Sequence, residues 1–77
     1  MSMLNLNKEN YFIVFVNGEP FNCSKYMSIK DLLLYLNFNL NNVIVEYNKK
    51  IINSNDFNYL FLQLNDSIEV ITIVGGG

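Results

Sequence analysis

A chain of 77 residues with a net charge of −2 and about half its side chains hydrophobic has room for one small domain with an apolar core, and that apolar share argues against disorder. A single cysteine, Cys23, excludes an intrachain disulfide and suits a reducing compartment. The five lysines form no basic stripe and there is no arginine, which leaves nucleic-acid binding unsupported, and no apolar run approaches the ~20 residues that span a bilayer.

In chain order, residues 1–10 carry Lys8 and Glu9 and lack the basic and long apolar regions of a signal peptide, so they read as a polar leader or short pre-strand. Tyr11 to Val16 are aromatic and β-branched, the composition of a buried strand. Asn17-Gly18 then marks a type I′ hairpin, because both central positions of that turn need φ > 0. Glu19 to Asn22 return antiparallel, and Pro20 confines this second strand to an edge. Cys23 reads as a small buried or edge hydrophobe.

Ser28 is a candidate N-cap with Asp31 at the capping-box position, and Ile29, Leu32, Leu33 and Leu36 make one helical stripe. The spacing predicts a helix over about Ser28 to Phe38, stopped by Asn37, Asn39, Asn41 and Asn42. Val43 to Tyr47 form a third strand, and Asn48-Lys49-Lys50 a turn into Ile51-Ile52. Over Ser54 to Phe61 a single helical turn capped by Ser54 or Asn55 would carry Phe57, Leu60 or Phe61 inward. Leu64 to Ser67 turn again, and Ile68 to Val74 form the last strand, ending on Gly75-Gly76-Gly77.

This order predicts an α+β fold of the ubiquitin-like β-grasp type. One helix packs on one face of a mixed sheet of four to five strands, with the first and last strands parallel at its centre. The domain covers 11–74, preceded by the leader 1–10 and followed by the glycine tail 75–77.

The sequence lacks the usual equipment for catalysis. There is no histidine to act as base or metal ligand, the lone cysteine has no histidine partner, and no glycine-rich loop precedes the helix. The seven carboxylates fall mostly in turns or at solvent-facing positions. The expectation is a non-enzyme with no catalytic residue, no metal and no cofactor of its own.

The positive signal is the tail. Three of the four glycines are Gly75, Gly76 and Gly77, directly after a strong strand. They read either as a frayed terminus or as an arm thin enough to enter another protein's active site, reaching roughly 10 Å past the sheet. An ionised terminal carboxylate is a poor electrophile, and activating it as an acyl-adenylate needs ATP. The chain has no nucleotide-binding motif, so a partner must use the ATP. A second signal is that both faces of the central strands are apolar: Phe12, Val14 and Val16 alternate with Tyr11, Ile13 and Phe15, and Ile68, Val70, Thr72 and Val74 with Glu69, Ile71 and Ile73. Only one face can meet the helix. Phe15, Glu69, Ile71 and Ile73 are therefore candidate partner-docking residues, unless that face is buried in a homodimer or covered by the leader and connector.

Taken together, Val16-Asn17-Gly18-Glu19, Ser28-Ile29-Lys30-Asp31-Leu32-Leu33, Val43 to Asn48, Leu64 to Val70 and Ile73 to Gly77 resemble the ThiS family of sulfur carriers in thiamine biosynthesis. The resemblance implies that a ubiquitin-activating-like adenylyltransferase adenylates Gly77 with ATP. Sulfur from a persulfide donor then makes a thiocarboxylate, and the carrier gives that sulfur to thiazole synthase. Asn65-Asp66-Ser67 departs from the family's glycine-containing turn, and the leader is longer than many relatives need. Rival expectations are a carrier for molybdopterin synthesis, a protein modifier conjugated through Gly77, and a plain interaction domain. The abundance of residues with AT-rich codons (Asn, Ile, Lys, Phe, Tyr) suggests an AT-rich genome, and with it bacterial cytoplasm or plastid stroma.

Overall fold

The computed structural model describes residues 11–73. The expected leader, Val74 at the end of the last strand, and the glycine tail lie outside the described residues.

Strand β1 (Tyr11–Val16) and strand β2 (Glu19–Ser24) form the expected antiparallel hairpin, with Asn17 at φ 53° and Gly18 at φ 82°. These are the two positive values a type I′ turn requires. Helix α1 (Ile29–Tyr35) follows, then strands β3 (Val43–Tyr47), β4 (Lys50–Ile52) and β5 (Ser67–Thr72). The sheet order is β2-β1-β5-β3-β4. β5 is central, parallel to β1 and antiparallel to β3, and β2 with its proline is an edge. The fold is the α+β ubiquitin-like β-grasp expected from the element order.

The helix is shorter than its leucine stripe suggests. Its start is as read: the Asp31 N–H donates to Ser28 Oγ and the Ser28 N–H to Asp31 Oδ2, both at 3.1 Å. Its end comes at Tyr35, with Leu36 as cap, instead of near Phe38. Asn37 adopts φ 67°, and the N–H groups of Asn37 and Phe38 donate to the carbonyls of Leu34 and Leu33 at 3.1 and 2.9 Å. This left-handed closure satisfies carbonyls that further helical turns would otherwise have served.

Smaller differences have similar local causes. Asn48 (φ 50°) and Lys49 (φ 73°) make a two-residue turn by themselves, so Lys50 belongs to β4. The one-turn helix is a 3₁₀ turn, Ser54–Asp56, capped by Asn53 in place of Ser54 or Asn55, because the Asn53 side chain accepts from the Asn55 N–H at 2.8 Å. Phe57 is buried, Leu60 partly so, and Phe61 is half exposed. Leu62 fills the core instead of Phe61, its N–H tied to the Met27 carbonyl at 2.9 Å. The last strand begins at Ser67 and ends at Thr72.

The core lies between α1 and one sheet face: Val14, Cys23, Ile29, Leu32, Leu33, Val45, Ile68 and Val70, closed by Phe57 and Leu62. Cys23 is the buried hydrophobe expected, and burial, helped by the charge of Asp66, pushes its thiol up to about 11. A thiol so placed is a poor nucleophile at neutral pH.

Candidate functional site

The site is the sheet face turned away from α1, together with the end of β5. Strand alternation builds it. Ile68 and Val70 face the core, so Glu69, Ile71 and Ile73 face outward, and all three are exposed. In β1, Val14 is buried while Tyr11, Ile13 and Phe15 are exposed at 48, 37 and 36 %. In β3 the buried Val45 leaves Ile44 and Glu46 on the outer side, and β4 adds the exposed Ile51. Two faces of similar hydrophobicity thus meet opposite environments.

The register divides the four docking candidates. Ile71 lies opposite Ile44, and the Ile73 N–H donates to the Asn42 carbonyl at 2.7 Å, so Ile71 and Ile73 join Ile44 at the end of β5 that leads to the glycines. Glu69 is one outward position earlier and lies opposite Glu46. Phe15 aligns with Ser67, four residues before Ile71, about 13 Å back along the strand. The face therefore has two apolar sectors, one of Tyr11, Ile13 and Phe15 and one of Ile44, Ile71 and Ile73, with two carboxylates between them. The expected reactive position and its arm, Gly77, Gly76 and Gly75, lie outside the described residues.

Two polar residues hold the β5 end in place. Asn17 gives its N–H to the Ile68 carbonyl at 2.8 Å, and its Oδ1 accepts the Val70 N–H at 2.7 Å. The hairpin asparagine thereby adds a side-chain rung to the parallel β1–β5 ladder. At the other end Asp66, in the turn expected over Leu64 to Ser67, is buried. Its carboxylate accepts from the Tyr47 hydroxyl at 2.5 Å, the Gln63 N–H at 2.8 Å and Asn48 Nδ2 at 3.1 Å. Burial, with this hydrogen bond and the charge of Asp66, raises the Tyr47 hydroxyl to about 12. Neither role was visible beforehand. An Asn-Gly pair signals a turn whatever its side chain bonds, and no local pattern separates a buried turn aspartate from a solvated one.

Among the described residues no group of three or more His, Cys, Asp or Glu side chains could hold a metal ion, and no helix is long and apolar enough to cross a membrane. A pocket of about 490 Å³ beside α1, lined by Lys30, Leu40, Asn41, Val43, Ser54, Asn55 and Asn58 over Phe57, is open, and through Val43, which lies opposite Thr72, it borders the β5 end on the helix side of the sheet. Nothing there resembles a catalytic constellation.

Comparison with known proteins adds to this geometry. The model of the ThiS family matches residues 14–77. A protein of Pyropia yezoensis called uncharacterized protein ycf40 is 52 % identical over 62 residues, covering 80 % of this chain and 87 % of the relative. The thiazole synthase of Magnetococcus marinus is 36 % identical over 64 residues, which are 83 % of this chain but 20 % of that protein. The crystal structure of the thiamine biosynthesis protein ThiS from Geobacter metallireducens superposes with a TM-score of 0.74 at 25 % identity, over 86 % of this chain and all of that one.

Proposed function

The chain belongs to the ThiS family of sulfur carriers, and we propose that it carries sulfur as a thiocarboxylate on Gly77 for the thiazole moiety of thiamine. The observation that carries this reading is that the family match extends through the glycine tail to Gly77.

The proposed chemistry belongs to partners. A ubiquitin-activating-like adenylyltransferase joins the Gly77 carboxylate to AMP and releases pyrophosphate. A persulfide sulfur then attacks the acyl carbon and expels AMP, giving an acyl disulfide. A thiol attacks the donor-cysteine sulfur of that disulfide, forming a new disulfide with the donor and expelling Gly77 as the thiocarboxylate, so the reducing thiol and the donor cysteine together give up the two electrons. Thiazole synthase then receives the sulfur, and the acyl carbon takes an oxygen from the acceptor carbonyl or from water, so that Gly77 returns as a carboxylate. The chain's own contribution is mechanical: it presents an unhindered carbonyl on a narrow arm and a rigid face for docking. The absence of histidine, with Cys23 buried and its thiol pushed up to about 11, supports giving every reactive group but Gly77 to the partners.

The thiazole branch is preferred over molybdopterin synthesis because a segment similar to this chain occurs within a thiazole synthase, and the superposed crystal structure is of a thiamine biosynthesis protein. The compartment we propose is the plastid stroma, supported by similarity to the ycf40 proteins of Pyropia yezoensis and Porphyra purpurea. The test loads the protein with labelled sulfur from cysteine, using a desulfurase, the adenylyltransferase and ATP, and offers it to thiazole synthase or to molybdopterin synthase. Label passing into the thiazole product supports the reading. Label accepted only by the molybdopterin enzyme, or found only in isopeptide conjugates, contradicts it.

A further inference from the structure

The outer sheet face carries two like charges side by side among apolar residues. Glu46 and Glu69 lie directly opposite one another on adjacent antiparallel strands, an arrangement that brings Cβ atoms to about 5 Å and is destabilising for like charges. Among the described residues no cation relieves them in register, because Glu46 has Ile51 on its other side and the hairpin residue beside the β5 end is Asn17. Around the pair stand the apolar sectors already described, with Ile44 opposite Ile71 on the tail side. A face left to water would not hold so many exposed isoleucines, and a purely apolar interface would not hold two carboxylates at its middle.

We propose that this face docks a protein partner that inserts an arginine side chain between Glu46 and Glu69 while apolar side chains cover the two sectors. The proposal rests on the carrier reading and deepens it by stating the chemistry of the docking partner. A guanidinium carries donors in a planar fork and can serve two carboxylates at once, whereas this chain contains no arginine of its own. A second copy is a poorer occupant, since a face-to-face dimer would bring four carboxylates into one desolvated layer. The leader is poorer too, because its Lys8 is followed at once by Glu9. The clamp also has a functional consequence. Gly77 is eight residues beyond Glu69, so the partner's reactive centre lies within about 27 Å of its arginine, the reach of extended chain.

The test measures binding of the full chain to the adenylyltransferase and to thiazole synthase across a salt series, alongside sulfur loading of Gly77 at saturating enzyme. The variants are Glu46→Gln/Glu69→Gln, the single Glu69→Gln, and the control Asp56→Asn, which removes a charge from the 3₁₀ turn. The double variant is expected to fold with an unfolding midpoint at or above that of the parent, since a repulsion has been removed. It should bind at least one of the two enzymes at least about 30-fold more weakly, with a flatter salt dependence. The single variant should fall between, and Asp56→Asn should stay within about twofold of the parent. Unchanged affinity of the double variant for both enzymes, with sulfur loading intact, overturns the clamp and leaves the carrier reading standing. A parent that neither binds nor gains sulfur overturns both. A parent that sediments as a dimer through this face, dispersed by Ile71→Asp, overturns the clamp in favour of a second copy.

Discussion

Asp66 gathers three hydrogen bonds on one buried carboxylate. Its carboxylate serves Tyr47, Asn48 and the Gln63 backbone at once, joining the β3–β4 turn to the start of β5. Truncation by Asp66→Ala strands three donors in a poorly solvated place, and we expect it to lower unfolding free energy by about 2–4 kcal/mol in urea titration. Tyr47→Phe removes one of those bonds and should cost about 1–2 kcal/mol. The two raised acids set a direction with pH. Each is held protonated in the folded state, so its stabilisation is complete below its ordinary value and is lost as pH rises through the folded one. Stability should therefore fall from pH 9 to about 11 through Cys23, and from pH 10 to about 12 through Tyr47. Tyr47→Phe should abolish the upper part of that decline. A decline of equal size in Tyr47→Phe would mean that the hydroxyl is not the titrating group.

At the scale of elements, the two hairpin turns differ in how well their residues suit them. Asn17-Gly18 has the preferred pair, and Asn17 also bonds β5. Asn17→Gly keeps the positive φ yet leaves the Val70 N–H without its partner, so it should cost about 1 kcal/mol, and Asn17→Ala should cost more because it adds backbone strain. At the other turn Lys49 occupies φ 73° without a short polar side chain to favour it. Lys49→Gly is therefore expected to raise stability by about 1 kcal/mol, measured by the urea midpoint at unchanged slope. The elements themselves were largely legible in the sequence. The Asn-Gly turn, the Ser28–Asp31 cap and the alternation in β1 and β5 are local signals, and each appears where it was read. Boundaries were less so. The helix stripe runs on to Leu36, but Asn37 closes the helix by a left-handed turn that competes with continuation, and Leu62 replaces Phe61 in the core because backbone pairing with Met27 fixes which side chain points inward. Those are tertiary choices, and periodicity does not encode them.

On the scale of the whole molecule, a sheet with two apolar faces and one helix leaves one face uncovered among the described residues, and that face carries the strand that leads to the glycines. That much was readable from alternation alone. The division of the face into two sectors was not, since it depends on which residue of β5 lies beside which residue of β1 and β3, and register is set by long-range pairing. The consequence is a division of labour. On the proposed function, core residues make the platform, the outer face selects partners, and the chemistry falls to Gly77. Changes to the tail should accordingly affect chemistry without affecting folding.

The most direct measurement is the intact mass of the protein after incubation with the adenylyltransferase, ATP, a desulfurase and cysteine, compared with the same protein lacking Gly77. A carrier gains the mass difference between sulfur and oxygen on its last residue. The shortened protein gains nothing and unfolds at the same urea concentration as the parent. An unmodified parent, a mass gain that survives deletion of Gly77, or a deletion that unfolds the domain would contradict the assignment of the sulfur to Gly77 on an arm outside the core.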